Sequence, residues 1–191
     1  MNIKLLIIIG FSYSYGFFEI FMSVRQRLKR NREITHSGDK GSIWILLFLI
    51  AIGYSLSFSI GSLHIGRIYH WNALFALGVS LILLGLIIRI ISISTLKQHF
   101  TYTVTKIENH ILIESGLYKR IRHPGYLGQI VIFIGTATAL SNWLSIILMF
   151  IPVFIGYSYR IFIEEKFLVE LMGQEYIDYQ KRTNKLIPKL Y

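Results

Sequence analysis

The chain of 191 residues is 53% hydrophobic and only 16% charged, and its formal net charge is +10. Soluble domains usually carry about 25% charged residues, so this composition predicts an integral membrane protein. The cations flank apolar segments, which indicates the lipid bilayer as their partner and argues against nucleic acid. The sequence contains no cysteine, which excludes a disulfide framework, a thiolate metal site and a cysteine nucleophile.

The first three apolar segments each have the length of a membrane span, which needs roughly 20 apolar residues. The first covers about residues 3–24 and contains Glu19. It lacks the small-residue cleavage site of a signal peptide and leads directly into a basic cluster, so we expect a retained span. The second covers residues 43–63 and has no charge, and the third covers about residues 69–96 with Arg89 near its end.

The fourth and fifth spans share one long interval between Arg122 and Arg160 that has no formally charged residue. The interval is too long for one helix, and Ser141, Asn142 and Trp143 interrupt it near its middle. We therefore predict a helical hairpin with a tight turn, which makes five spans in all. The predicted fold is an all-α membrane bundle that forms a single domain over residues 1–191, with spans one to three in residues 1–94.

The lysine and arginine residues alternate with this topology. They concentrate in residues 25–40, 97–122 and 160–189, whereas the opposite side receives only Lys4 and Arg67. Positive charge marks the cytoplasmic side of membrane proteins, so the N-terminus is predicted outside and the C-terminus in the cytoplasm. Residues 164–179 have apolar positions at helical spacing, which predicts an amphipathic helix on the cytoplasmic face.

The residues able to do chemistry lie on the predicted cytoplasmic side. His110, Tyr118, His123 and Tyr126 precede span four. Arg160, Glu164 and Glu165 come at the end of span five. Because spans four and five form a hairpin, all these side chains can line one pocket.

Arg160 and Glu164 lie four residues apart and so share one helix face. One interpretation is a local ion pair that closes the helix. The other is that Arg160 holds an anionic substrate group while Glu164 faces a cationic one, since ionisable residues near a membrane tend to mark function.

The segment that begins at His123 also has two interpretations. Pro124 suits the first turn of a helix, so His123 is expected at the cap, where free backbone N–H groups favour an anion such as a carboxylate. Alternatively, this is a helix start at the interface, with Arg120 and Arg122 contacting lipid headgroups and with Gly125 and Gly128 permitting close helix packing.

Two other site chemistries find little support in the sequence. A metal could use His110, His123, Glu164 and Glu165, but the spacing matches no known metal motif, and we predict none. A serine nucleophile is not expected, because the G-x-S-x-G elbow is absent.

Five sequence elements resemble the C-terminal half of the isoprenylcysteine carboxyl methyltransferase family, in a prokaryotic-type integral membrane form. They are LIESGLY from Leu112, RHPGY from Arg122, RIFIEE from Arg160, GQEYIDY from Gly173 and LIP from Leu186. The resemblance covers about residues 95–191, and its weight comes from the order and spacing of the five elements together.

This resemblance implies an α-helical membrane enzyme that uses S-adenosylmethionine, with residues 95–191 as the methyltransferase core and the cofactor pocket at the cytoplasmic end of the last spans. The implied acceptor is a carboxyl group on an isoprenylcysteine-like or other lipid-linked molecule, whose tail enters from the bilayer. The sequence indicates no oligomeric state.

The resemblance also implies roles for individual residues. Arg160 matches the residue that holds the substrate carboxylate, and Glu164 matches a residue that contacts the cofactor, which makes these two the expected catalytic pair. The remaining expected cofactor contacts are His110, Ile111, Leu112, Ile113, Tyr118, His123, Pro124, Gly125 and Tyr126.

Similar C-terminal patterns occur in phospholipid amine methyltransferases, in thiol methyltransferases and in membrane reductases, so these remain alternatives. An amine acceptor would need an anionic partner and would make little use of Arg160. A reductase lacks the support of a G-x-G-x-x-G motif. A non-catalytic membrane scaffold that retains the pocket is the alternative outside the enzymes.

Overall fold

The computed structural model describes residues 3–30, 34–37, 41–102, 105–107 and 111–188. Over these residues the chain is a bundle of α-helices, which confirms the predicted all-α membrane fold. The helices are α1 (Ile3–Arg30), α2 (Ser42–Gly61), α3 (Trp71–Leu96), α4 (Pro124–Ala139), α5 (Trp143–Met172) and α6 (Gln174–Arg182). Two short 3-10 turns cover Lys97–His99 and Gly116–Lys119.

The described residues also include one small β-ladder, which was not predicted. Strand β1 (Ile34–Ser37) follows α1, strand β2 (Thr105–Ile107) follows α3, and the two pair antiparallel with Ile34 opposite Ile107. The ladder ties together two loops at the same end of the bundle.

Four helices within the described ranges are long and apolar enough to cross a membrane, namely α1, α2, α3 and α5. The predicted fourth span corresponds to α4, which has 16 residues and is therefore about 24 Å long at 1.5 Å per residue. A hydrocarbon layer is about 30 Å thick. The count of five spans accordingly stays a prediction.

The end of α5 corrects the predicted amphipathic helix at residues 164–179. The structure has no helix boundary near Glu164, since α5 continues without interruption for 30 residues to Met172. Gly173 then ends it with a positive φ of 60°, a conformation that glycine adopts without steric cost. The second half of the predicted segment belongs to α6, which runs to Arg182.

Successive helices cross the bundle in opposite directions. Lys4 at the start of α1 donates a hydrogen bond to Asn72 at the start of α3. Asn142, just before α5, donates to the carbonyl of Ile60 at the end of α2 at 3.2 Å, and the Ile68 N–H donates to the Ser141 carbonyl at 2.8 Å. These contacts gather the starts of α1, α3 and α5 with the ends of α2 and α4, as the charge pattern predicts.

Helices α3 and α4 pack backbone to backbone. A Cβ atom added to Gly85 would lie 2.5 Å from the Gly128 carbonyl oxygen, and one added to Gly78 would lie 2.6 Å from the Gly135 carbonyl oxygen. Small residues permit such close approach between membrane helices. The packing role that the sequence leaves open for Gly128 is thus confirmed, and it fixes the start of α4 beside the end of α3.

Helix α5 forms the centre of the apolar core against α2 and α4. Its residues Met149, Val153, Tyr157 and Ile161 are fully or almost fully buried, together with Leu46 of α2. The Ser145 hydroxyl donates to the Ser57 carbonyl at 2.7 Å. This packing sets the rotation of α5 and so decides which way its polar end points.

Candidate active site

A cavity opens at the end of the bundle where α3, α4 and α5 meet the loops and α6. Most of the residues singled out from the sequence lie on its wall, and the structure thus brings them together. These wall residues are Ile111, Leu112, Ile113, Tyr118, His123, Gly125, Tyr126, Arg160 and Glu164. Pro124 is buried at the start of α4, and His110 lies outside the described residues.

His123 caps α4 and Pro124 is its first residue, as predicted. The backbone N–H of His123 donates to the Lys185 carbonyl at 3.0 Å, and the Arg122 N–H donates to the Asn184 carbonyl at 2.8 Å. The His123 ring stacks on the Tyr126 ring at a centroid distance of 5.6 Å and an interplanar angle of 8°. The C-terminal segment and the stacking together hold this helix start in one position.

Arg122 is buried and paired, so its part in the lipid-headgroup alternative is wrong. Its side chain is 7% exposed, and its Nε donates to Glu165 Oε1 at 2.6 Å. Its Nη1 donates to the Thr183 carbonyl at 2.5 Å. These bonds satisfy the charge of the buried guanidinium, since charged side chains are buried only when they are paired. They also join α5 to the C-terminal segment through Arg122 and so fix the loop before α4.

Glu165 also reaches the imidazole of His123, whose Nε2 lies 3.3 Å from the Glu165 Oε1. In the sequence, Glu165 has a role only in the metal alternative, and its contacts with Arg122 and His123 were not predicted. The adjacent carboxylates divide their contacts, since Glu165 holds Arg122 and His123 while Glu164 lines the cavity.

Tyr126 links the expected catalytic pair. Its hydroxyl donates to Glu164 Oε2 at 2.6 Å and accepts a hydrogen bond from Arg160 Nε at 3.3 Å. The Glu164 side chain is 27% exposed, so its carboxylate is open to the cavity. The shared helix face of Arg160 and Glu164 is therefore organised around a phenol from the neighbouring helix.

The Arg160 side chain is held on its other two nitrogens by distant parts of the chain. The residue is 1% exposed. Nη1 donates to the Ser42 hydroxyl at 2.7 Å, and Nη2 donates to the Tyr102 carbonyl at 2.7 Å. These contacts fix the plane of a permanently charged guanidinium on the cavity wall.

Tyr118 lies in the 3-10 turn before α4, and its hydroxyl is 2.7 Å from the Ser92 hydroxyl of α3. Burial raises the pKa of Tyr118 to about 12, a rise that the Ser92 hydrogen bond partly opposes. The phenol therefore stays neutral at physiological pH. The Tyr118 carbonyl accepts a hydrogen bond from the Tyr179 hydroxyl of α6 at 2.6 Å.

Several wall residues were missed at the level of sequence, among them Arg89, Phe100, Phe167, Leu168 and Tyr176. Arg89 had a usable signal, because a cation inside an apolar segment tends to mark function. Tyr176 lies in the GQEYIDY element, which marked the segment without giving this residue a role. The other three resemble ordinary core residues in sequence, and only the folded chain shows that they line a cavity.

In the part of the chain that the structure describes, no group of three or more histidine or carboxylate side chains could hold a metal ion. His123 and Glu165 of the metal alternative are instead joined to each other, as described above.

Comparison with known proteins gives one matching family model, phospholipid methyltransferase, over residues 73–175. Protein-S-isoprenylcysteine O-methyltransferase of Saccharomyces cerevisiae is 39% identical over 114 residues, which is 59% of this chain and 48% of that protein. Protein-S-isoprenylcysteine O-methyltransferase B of Arabidopsis thaliana is 33% identical over 113 residues, or 58% of this chain and 57% of that protein.

A solved structure of the eukaryotic intramembrane Ras methyltransferase, isoprenylcysteine carboxyl methyltransferase, is similar to the chain with a TM-score of 0.61 and 28% identity. The match covers 75% of this chain and 52% of that one. The chain thus spans about half the length of the relatives it matches. These relatives confirm the resemblance that the five sequence elements indicate, and the family match covers more than half of the chain. The chain belongs to the phospholipid methyltransferase family of helical membrane proteins.

Proposed function

We propose that this chain is an S-adenosylmethionine-dependent methyltransferase whose acceptor is the carboxyl group of an isoprenylcysteine-like or other lipid-linked molecule. One observation carries the proposal: the buried guanidinium of Arg160 and the carboxylate of Glu164 lie on one cavity wall, joined by the Tyr126 hydroxyl. The names of the relatives agree with this reaction.

The chemistry of the wall fits the cofactor. Ile111, Leu112 and Ile113 provide an apolar surface for the adenosyl part. Glu164 provides a carboxylate for the cofactor's ammonium group, and the start of α4 at His123 suits its carboxylate. When bound, the cofactor supplies an electrophilic methyl group on a sulfonium.

The residues of the chain then have to position and desolvate the acceptor. A carboxylate with a reference pKa near 3.5 is already ionised at neutral pH, so no general base is required. Arg160 can orient it with two parallel hydrogen bonds, and its contacts with Ser42 and Tyr102 keep the guanidinium plane fixed beforehand. Correct alignment and exclusion of water should supply most of the rate acceleration.

The lipid tail of the acceptor would lie among the membrane helices, and the bilayer is the partner from which it enters. We place the cavity end of the bundle on the cytoplasmic side, because the cationic loops lie at that end. The N-terminus is then outside.

Methyl transfer from labelled S-adenosylmethionine to a farnesylcysteine analogue tests the acceptor. We expect turnover with the free carboxylate and none with its carboxamide, which has the same shape and no charge. Equal turnover of the two would contradict a carboxylate acceptor, and turnover of neither would contradict an isoprenylcysteine-like one.

A phospholipid amine is the second candidate, favoured by the description of the matching family. A cationic or neutral amine gains nothing from a buried guanidinium. The same assay with phosphatidylethanolamine vesicles decides between the two acceptors, since the carboxylate proposal predicts no labelled phospholipid.

A further inference from the structure

Charged residues of α1 and α3 meet beside the candidate site. Arg89 Nη2 lies 3.0 Å from Glu19 Oε2, and Nε lies 3.2 Å from Oε1. The two side chains are 6% and 14% exposed, and the Tyr15 hydroxyl donates to Glu19 Oε1 at 2.7 Å. Two parallel hydrogen bonds between a guanidinium and a carboxylate fix their relative orientation. Removing one partner of a buried pair leaves an uncompensated charge.

The guanidinium of Arg89 also supports the segment that follows α3. Its Cζ lies 5.2 Å from the centre of the Phe100 ring and 5.7 Å from that of the Tyr102 ring. The two rings meet edge to face at 5.0 Å. Cation–π attraction at these distances holds residues 100–102 against α3.

The backbone of the same segment is bound by a second arginine. The Tyr102 carbonyl accepts the hydrogen bond from Arg160 Nη2 at 2.7 Å. Residues 100–102 therefore contact two buried arginines, with two rings on Arg89 and a carbonyl on Arg160. Any displacement of this segment moves the acceptor that orients Arg160.

We propose that Glu19 is a positioning residue for the acceptor site: by holding Arg89 it fixes residues 100–102, and through the Tyr102 carbonyl it sets the orientation of Arg160. The inference rests on the proposed function for the role of Arg160. Glu19 lies outside the family match over residues 73–175, so the N-terminal helix adds a contribution that the matched core does not contain.

Glu19→Gln tests this proposal because it keeps the shape of the side chain and removes its charge. The matched control is Glu170→Gln, the same change at an exposed position of α5. We expect faster amide hydrogen exchange at residues 97–102 in Glu19→Gln alone. We also expect kcat/KM for the carboxylate acceptor to fall about 100-fold, the cost of a small misplacement of a positioning group, with cofactor affinity unchanged.

Tyr15→Phe is a milder second variant, since it removes the hydroxyl bond to Glu19 and leaves the ion pair intact. Exchange at residues 97–102 should again be faster, and kcat/KM should fall about fivefold, which corresponds to one lost hydrogen bond. Unchanged exchange at residues 97–102 in both variants would overturn the proposal. So would exchange that rises evenly through α1 and α3, because that result indicates loosened helix docking.

The exchange measurement requires no turnover and therefore separates the two proposals. A protein that methylates no carboxylate would contradict the proposed function, while the exchange at residues 97–102 would still show whether Glu19 holds this segment.

Discussion

The guanidinium of Arg160 is buried away from water, and three groups that are distant in sequence hold it in position. Ser42, Tyr102 and Tyr126 come from three different parts of the chain, and no short-range pattern in the sequence connects them. The order of motifs predicted that Arg160, Glu164, His123 and Tyr126 would meet. Their orientation was not predictable, because it depends on the rotation of α5 about its axis, which tertiary packing sets.

Arg160→Lys should lower kcat/KM for a carboxylate acceptor by about 100-fold, since lysine keeps the charge and loses the planar pair of donors. Cofactor affinity should stay close to that of the wild type. Arg182→Lys is the control, because Arg182 is 58% exposed and pairs with Glu114 at the surface. Steady-state kinetics combined with cofactor titration measures both effects. An equal loss of cofactor affinity and turnover would contradict the substrate role of Arg160.

At the scale of the element, the lengths of apolar runs predicted α2 and α3 closely, because a bilayer demands a long stretch without charge. The end of α5 was misplaced. Polar residues after Arg160 suggested that a new helix begins there. No residue between Glu164 and Met172 breaks the helix, and α5 ends only at Gly173. The change from apolar to polar residues thus indicates where the helix leaves the membrane, whereas backbone conformation determines where the helix ends.

Gly85→Ala should destabilise the protein by about 1–3 kcal/mol, because the new methyl group overpacks the contact with Gly128. Gly10→Ala is the matched control, since a Cβ atom there meets nothing within 4 Å and alanine favours helix. Thermal unfolding in detergent compares the two. A Tm for Gly85→Ala equal to that of Gly10→Ala would show that α3 and α4 do not pack at this contact.

At the scale of the whole molecule, the crossing directions of the helices place the cavity, the C-terminal segment and most of the described cations at one end. Charge asymmetry and motif order both predict this arrangement, because insertion of the chain and binding of charged groups act at the same membrane face. The contacts of α1 with the site come from a helix outside the family match over residues 73–175 and were not predicted.

Since the sequence contains no cysteine, single engineered cysteines report orientation without background. In intact cells, Lys181→Cys at the cavity end should be protected from a membrane-impermeant thiol reagent. His64→Cys at the opposite end should react. Both positions are exposed on the protein, so the bilayer alone would account for the difference. The reverse pattern of labelling would place the site outside the cell.

The most direct measurement is calorimetric titration of S-adenosylmethionine into the detergent-purified protein and its Glu164→Gln variant. The proposed function predicts micromolar binding by the wild type. Glu164→Gln should weaken it at least tenfold, as expected when a charged hydrogen-bond partner is lost, and the exposed Glu170→Gln should retain it. No binding by a folded wild-type protein, or equal binding by all three, would contradict a cofactor site built around Glu164.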